Sequence, residues 1–179
     1  MVTVLRSFHL ICLILLFFST GSLAQTDDSG YPVLEKGSAA VNISGTDTSG
    51  KLIPLFSLKN KYILLFFYET SCHLCEAILP EMKEHYRAWK EQGCEIYAIP
   101  LNRNYEEWKL LMLNNQFPWI NVIDTTNADG VRSAYKITVT PTVYVLDSER
   151  KIASSRLARP EKIDEWLLHH SKSNSEKDE

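Results

Sequence analysis

Apolar and polar positions alternate along the chain in blocks that predict two kinds of element. The segment KYILLFFY (61–68) is nearly all apolar or aromatic, which is the pattern of a strand buried on both faces of a sheet. The segment CEIYAIPL (94–101) has the same character. Between them apolar side chains recur at helical spacing, so a helix is predicted from about Cys72 to Glu91. Pro80 lies inside this helix and is expected to kink it.

The second half of the chain repeats this alternation with shorter elements. Its pattern predicts helices over 104–115, 127–137 and 160–170, and strands over 118–124, 141–147 and 151–157. Because strands and helices alternate before a final hairpin and helix, the predicted fold class is α/β, a sandwich with a mixed central sheet and flanking helices. Functional residues in such sheets gather at the carboxyl ends of the parallel strands, and Cys72 falls there.

The amino-terminal segment differs from this core. Residues 1–24 contain one arginine, an apolar run and the small-x-small end SLA (22–24), which predict a secretory signal peptide cleaved before Gln25. The apolar run is short against the roughly 20 residues that span a bilayer, which favours cleavage. An uncleaved signal would leave the protein tethered to the membrane.

Polarity also sets the expected domain boundaries. Residues 25–50 are rich in Gly, Ser, Thr and Asp and predict a flexible leader, whereas 171–179 have no apolar content and predict a disordered tail. A single domain over 51–170 remains, which is long enough to build a complete core. The formal net charge of the chain is −3, so nothing indicates a nucleic-acid partner.

Cysteine usage narrows the chemistry. The chain has four cysteines, of which Cys12 would leave with the signal peptide. The remaining three are Cys72, Cys75 and Cys94, an odd number in a long chain, which argues against a small disulfide-stapled scaffold. One close pair and one spare thiol fit a redox pair and a buried cysteine. Cys94 opens a predicted strand and is expected to be a small buried hydrophobic residue.

The spacing of Cys72 and Cys75 at a predicted helix start suggests two thiols with different roles. Thr70 and Ser71 supply N-cap chemistry, so Cys72 falls in the first turn, where unpaired N–H groups and the helix dipole stabilise a thiolate. Cys75 lies one turn deeper on the same face, within reach of the Cys72 sulfur. That position suits a resolving thiol in thiol–disulfide exchange.

The two residues between the cysteines, His73 and Leu74, are expected to tune the couple. A charged His73 would stabilise the Cys72 thiolate, favour the reduced form and make the disulfide more oxidising. A solvent-facing histidine with little effect is the alternative interpretation.

Other uses of the C-x-x-C spacing remain open from the residues alone. A zinc site needs four ligands, and the further candidates are scattered: His73, His85, Cys94, His169 and His170. The two thiols and a histidine could capture copper. A purely structural disulfide would close too small a loop to stabilise the chain much. A non-catalytic binding module is the rival from another functional class.

A second motif, TPT (140–142), places Pro141 at the first residue of a predicted strand. A proline is tolerated there on an edge strand, or with a cis peptide bond that turns the chain toward a site. The local sequence alone favours the edge-strand interpretation.

In combination, KYILLFFYETSCHLCEAILP and the later YKITVTPTVYVLD and RKIASS resemble the thioredoxin superfamily, and within it the exported TlpA-like branch of thiol–disulfide oxidoreductases. The resemblance covers about 50–166 and implies a thioredoxin-like three-layer sandwich with a TlpA-like insertion and no bound cofactor. It implies that Cys72 is the nucleophile and Cys75 the resolving cysteine. It also implies a cis peptide bond at Pro141, beside a Thr140 backbone that pairs with an extended substrate.

Three positions depart from the family pattern. Thioredoxins often have a buried aspartate where this chain has Phe66, and some cytochrome-maturation members have a glutamate where it has Ile78. The aromatic residue that commonly precedes the first cysteine is replaced by Ser71. Glu69 or Glu76 is a candidate for acid–base help from another place, although a solvated surface carboxylate is the ordinary interpretation of each.

The resemblance predicts an exported, periplasmic enzyme that reduces disulfides in secreted or envelope proteins. The expected partners are disulfide-containing exported proteins, with an apocytochrome among the candidate clients, and a membrane thiol-transfer protein as electron donor. The same pair could run in reverse as an oxidase. The predicted substrate groove comprises Thr140, Pro141 and Ser71. The four tryptophans are expected to pack in the core or the insertion, and Trp119 is the one among them most expected to line the groove. Neither a metal nor a cofactor is expected.

Overall fold

The protein is described by a computed structural model, over residues 26, 30–154, 156–157 and 159–175, with side chains up to residue 170. The predicted signal peptide, 1–24, lies outside the described residues, as do 176–179.

The described elements form a mixed sheet with helices on both faces. In chain order they are β1 (Ser44–Thr46), β2 (Leu52–Pro54), a 3-10 turn (Leu55–Ser57), β3 (Tyr62–Tyr68), α1 (His73–Glu91), β4 (Cys94–Pro100), α2 (Tyr105–Asn115), β5 (Ile120–Asn121), α3 (Ala128–Ala134), β6 (Thr142–Leu146), β7 (Ile152–Ser154) and α4 (Pro160–Ser175). The main sheet has the order β5-β4-β3-β6-β7. β4 runs parallel to β3 and β5, and β6 runs antiparallel to β3 and β7, as predicted for the early and late strands.

β3 is the central strand of the sheet order, and all of its residues are buried because both of its faces are covered. Alternate side chains of a strand point to opposite faces, so one set packs with α1 and α4 and the other with α3. The first set is Leu64, Phe66 and Tyr68, and the second is Ile63, Leu65 and Phe67. This arrangement explains why the segment has no polar alternation.

Part of the predicted leader, 25–50, belongs to the ordered fold. Thr46 in β1 exchanges two backbone hydrogen bonds with Ile123, beyond the end of β5, at 3.0 and 2.9 Å. On the opposite edge of the sheet, Ala39 forms a bridge with Lys151 next to β7. The observed start of the fold therefore differs from the predicted boundary.

The small residues of this segment allow its backbone to lie close to the sheet, and its few apolar residues anchor it to the core. A Cβ atom on Gly45 would lie 2.8 Å from Cγ2 of Val122, so glycine permits β1 to approach the sheet edge. The few apolar residues are placed inward, since Val33 and Ile43 are both buried. Sparse apolar content was therefore sufficient to anchor the segment.

Several element bounds also differ from the prediction. β5 covers only two residues and starts after Pro118, which has no N–H group to give to a strand pairing. β7 covers three residues. α4 continues to Ser175, so the first part of the predicted disordered tail is helical.

Candidate active site

Cys72 lies where β3 ends and α1 begins, at the carboxyl end of the central strand. It is the N-cap residue of α1, with an extended backbone (φ −84°, ψ 111°), and its carbonyl accepts the N–H of Glu76 at 3.0 Å. Its Sγ accepts the N–H of Cys75 at 3.2 Å. The cap is therefore the thiol itself rather than Thr70 or Ser71, and a helix N–H group donates directly to the sulfur.

The loop before β6 forms the second wall of the site. The Thr140–Pro141 peptide bond is cis, as the family resemblance predicts. The edge-strand interpretation is wrong, because β6 lies between β3 and β7. The Sγ of Cys72 lies 3.7 Å from the carbonyl oxygen of Thr140. Since β6 pairs directly with β3, the sheet brings these two distant residues together.

The two thiols of the pair have opposite acidities. Burial by itself raises the pKa of Cys72, but hydrogen bonds from the Cys75 thiol, the Thr140 side chain and nearby backbone N–H groups outweigh it, so that pKa is lowered. Cys75 is only 1% exposed. Burial, together with its hydrogen bond to Cys72, raises the pKa of Cys75 to about 12. Cys72 is therefore the thiol that ionises first, and Cys75 holds its proton.

Cys94 lies at the opposite end of the same strands. It is the first residue of β4 and pairs in register with Tyr62, whereas the end of β4 near the site pairs with Tyr68. Seven residues of extended strand separate the two ends by roughly 20 Å. Cys94 is fully buried, and burial raises its pKa to about 12. The predicted buried thiol is confirmed.

The two residues between the cysteines face solvent. The side chain of His73 is 95% exposed, with Nδ1 3.8 Å from Oε2 of Glu76, and Leu74 is 67% exposed. Ser71 is also exposed. The tuning roles of His73 and Leu74 and the groove role of Ser71 stay predictions.

Trp119 lies away from the thiols. It is buried and packs between Phe117 and Tyr86, with ring centroids 4.9 and 5.7 Å from its own. The next residue, Ile120, pairs with Tyr97 in the middle of β4 rather than at its carboxyl end. The structure therefore does not bring Trp119 to the predicted substrate groove.

A cavity of about 300 Å³ opens beside the cis-proline. It is lined by Leu74, Ala77, Ile78, Glu81, Pro141 and Arg159. Four of these side chains are apolar, and the other two place one negative and one positive charge at the wall. This cavity lies between the start of α1 and the loops that precede β6 and α4, so an extended chain bound there would pass next to Cys72.

The positions that depart from the family pattern are apolar contacts of the core. Phe66 stacks on Tyr68, with ring centroids 5.2 Å apart, and Ile78 is buried beside the cavity. Both belong to the same cluster of buried side chains as Cys75. Both positions therefore supply hydrocarbon rather than a carboxylate to the surroundings of Cys75.

Sequence reasoning missed a set of polar contacts on the loop before Cys72. Arg132 in α3 forms an ion pair with Glu69. Nδ2 of Asn102 donates to Oγ1 of Thr70 at 2.7 Å, and that hydroxyl donates to Glu107 in α2. Glu69 is therefore not the free surface carboxylate that its sequence position indicated. No local pattern could pair residues so far apart.

The described residues lack two further kinds of feature. They contain no group of three or more His, Cys, Asp or Glu side chains that could hold a metal ion. Among them, no helix combines the length and apolar character needed to cross a membrane.

Comparison with known proteins places these features among disulfide-exchanging enzymes. The model of the AhpC/TSA family matches residues 36–155. The thiol-disulfide oxidoreductase ResA of Bacillus subtilis is 32% identical over 124 residues, which cover 69% of this chain and 68% of that protein. ResA of Bacillus thuringiensis (strain Al Hakam) is 30% identical over 148 residues, covering 81% and 83%.

Solved structures give the same result for the fold. A domain of a possible thiol-disulfide isomerase from Cytophaga hutchinsonii superposes with a TM-score of 0.72 at 30% identity, over 80% of this chain and 97% of that one. The thioredoxin domain of a thiol-disulfide oxidoreductase from Bacteroides vulgatus gives 0.70 at 28% identity, over 76% and 98%.

Proposed function

Because the chain belongs to the AhpC/TSA family and is a thioredoxin-like thiol–disulfide oxidoreductase of the TlpA-like branch, we propose that Cys72 and Cys75 are its redox couple. One observation carries this proposal: a half-exposed thiol of lowered pKa accepts the N–H of a buried cysteine whose own pKa is about 12. The Cys72 sulfur ionises more readily and is the nucleophile, whereas the Cys75 thiol stays protonated until a mixed disulfide forms.

The chemistry proceeds in two exchanges. The Cys72 thiolate attacks one sulfur of a client disulfide, so a Cys72–client bond forms, the client S–S bond breaks and one client thiolate leaves. Cys75 then gives its proton to the released client thiolate and attacks Sγ of Cys72. The Cys72–Cys75 disulfide forms, the second client thiolate leaves, and two electrons have passed to the client.

The cavity beside Pro141 gives this reaction a place for its substrate. An extended client segment would lie along Leu74 and Pro141, with its cysteine against Cys72 and its backbone next to Thr140, in the manner of strand addition. The mostly apolar lining favours apolar side chains next to the client cysteine.

We further propose that the protein is exported and works as a reductant. Residues 1–24 supply a signal peptide, and the mature chain starts at Gln25. Its clients are disulfide-containing exported proteins, with an apocytochrome as a candidate, and a membrane thiol-transfer protein returns the electrons. The similarity to ResA enzymes supports thiol–disulfide exchange as the reaction.

The central test is trapping with Cys75→Ser, which removes the resolving thiol. This variant should accumulate a mixed disulfide on Cys72 with exported proteins, visible as a band that disappears on reduction. Cys72→Ser/Cys75→Ser and Cys94→Ser/Cys75→Ser are the matched controls. The first should trap nothing, and the second should trap as Cys75→Ser does. Trapping that needed Cys94 instead of Cys72 would refute the assignment.

Location and direction need two separate measurements. Amino-terminal sequencing of the protein from the exported fraction should begin at Gln25, and protein retained in the cytoplasm would refute export. Titration against glutathione should give a potential close to the roughly −270 mV of a reducing thioredoxin. A value near the roughly −120 mV of a strong oxidase would reverse the proposed direction.

A further inference from the structure

The loop that connects β3 to Cys72 is bound to α3 by the ion pair between Glu69 and Arg132. We infer that this ion pair is a positioning contact that sets the redox equilibrium of the thiol pair. Glu69 and Arg132 touch neither substrate nor the reacting sulfurs with their side chains. They act through the main chain of Glu69. This inference rests on the proposed role of Cys72 and Cys75 as the redox couple.

The main chain of Glu69 contacts both cysteines. Its carbonyl oxygen accepts the N–H of Cys72 at 3.2 Å. Its backbone N–H lowers the pKa of the Cys75 thiol, against the larger opposing effect of burial. A shift of this one residue would therefore change the environment of both sulfurs at once.

The ion pair fixes that residue to a separate element of the fold. The guanidinium of Arg132 donates to Oε1 of Glu69, and the two side chains are 30% and 34% exposed. A pair shielded to this extent is screened by salt less than a surface pair. α3 is itself anchored, because Ala128 and Val131 are buried in the core. Arg132 thus connects a rigid helix to the residue that supports the thiols.

A second set of contacts holds the next residue of the loop. Oγ1 of Thr70 accepts from Asn102 at 2.7 Å and donates to Glu107, and the N–H of Glu107 is in turn bound by the side chain of Asn104 at 3.2 Å. These contacts come from the turn before α2 and its first residues. The loop is therefore supported on two sides, by α3 through Glu69 and by α2 with its preceding turn through Thr70.

A positioning role and a simple charge effect predict different signs. Arg132→Met removes a positive charge near the thiolate, whereas Glu69→Gln removes a negative one. If the pair acted only through its charges, the two variants would move the Cys72 pKa in opposite directions. If it acts by holding the loop, both break the same support and should move it the same way, toward the ordinary value of a free thiol.

The experiment measures two quantities in Arg132→Met, Glu69→Gln and the double variant. One is the midpoint of Cys72 alkylation against pH, and the other is the glutathione equilibrium of the pair. Positioning predicts that both single variants raise the midpoint and shift the equilibrium toward the disulfide by roughly three- to tenfold, where tenfold corresponds to about 30 mV. The double variant should add little to either single one, because the same contact is lost.

The controls separate this role from general loss of structure. Asp129 lies on α3, as Arg132 does, and forms an exposed ion pair with Arg103. Asp129→Asn removes that pair and should leave both the alkylation midpoint and the glutathione equilibrium unchanged. Arg132→Lys keeps the charge and should restore most of the wild-type equilibrium. If Arg132→Met fails to fold, the alkylation midpoint and glutathione equilibrium of Arg132→Lys and Glu69→Gln still test the inference.

The outcomes that overturn the inference are distinct from those that overturn the proposed function. Opposite, additive shifts in the two single variants, or no shift in either, would refute positioning while leaving the couple intact. A wild-type protein that formed no Cys72–Cys75 disulfide at any glutathione ratio would refute the couple, and the positioning role with it.

Discussion

A cysteine lies at each end of the paired strands β3 and β4, and the two thiols differ in pKa and in access to solvent. At the carboxyl end, Cys72 is partly exposed, its Sγ accepts the N–H of Cys75, and the same sulfur lies next to the Thr140 carbonyl. At the amino end, Cys94 is enclosed by core side chains and has its pKa raised to about 12. Reactivity therefore follows from the position of a thiol in the fold: a helix start activates it, and a strand start within the core suppresses it.

The largest expected difference is in catalysis. Cys72→Ser should reduce disulfide-reductase activity, measured with insulin as a model substrate, to the uncatalysed background. Cys94→Ala should keep the wild-type rate, because Cys94 lies at the far end of the strands. Loss of activity in Cys94→Ala with an unchanged melting temperature would show that the buried thiol takes part in turnover.

The next effect is in chemical modification. At pH 7, iodoacetamide should label Cys72 rapidly, because its lowered pKa leaves more thiolate than the ordinary value near 8.5 allows. Cys75 and Cys94 should be labelled only after unfolding, since both are buried and protonated. Mass spectrometry of peptides from native and denatured protein would check this, and equal native labelling of Cys94 would contradict the comparison.

A smaller effect concerns stability at alkaline pH. The pKa values of Cys75 and Cys94 are raised in the folded protein, so each contributes stability below its unfolded pKa that is lost as pH rises from there toward about 12. Near pH 9.5 the loss should be on the order of 1 kcal/mol for each thiol.

Urea unfolding at pH 7 and near pH 9.5 would measure this loss. Cys94→Ala, which removes one of these thiols, should lose on the order of 1 kcal/mol less stability over the same pH interval than the wild type. A variant with the full wild-type loss would show that the enclosure of Cys94 has no energetic consequence.

The smallest expected effect comes from His73, the residue next to the reactive sulfur. Its side chain is almost wholly in water, where charge interactions are weak and screened. His73→Ala should therefore change the glutathione equilibrium by less than about threefold, or less than about 15 mV. A change of tenfold or more would establish the tuning role that the sequence suggested and would extend the activating environment beyond the helix start.

The parts of the fold that the sequence predicted are those whose signal is local. The unbroken apolar runs 61–68 and 94–101 identified the two central strands, and helical spacing identified α1 to within one residue. The predicted N-cap residues Thr70 and Ser71, followed by helical spacing, placed Cys72 at the helix start. The cis-proline needed the family resemblance, because a local pattern cannot show which strand lies next to which.

The misses depend on contacts between distant segments. Residues 33–46 have too few apolar groups to predict order, yet they pair through their backbone with strands far along the chain. Trp119 was assigned to the groove by residue type, but the register of β5 on β4 places it in the core. The Glu69–Arg132 pair joins two segments that have no common sequence signal.

The pairing of residues 37–46 also bears on self-association. This one segment reaches both sides of the main sheet. Gly37 and Ala40 donate to the carbonyls of residues 152 and 150, at the start of β7 and just before it, and Thr46 pairs with Ile123, beyond the end of β5. Exposed strand edges are templates on which a second chain can add. Residues 37–46 thus occupy positions at which two copies would join edge to edge. Deleting these residues would therefore favour polymerisation before it affected the thiols.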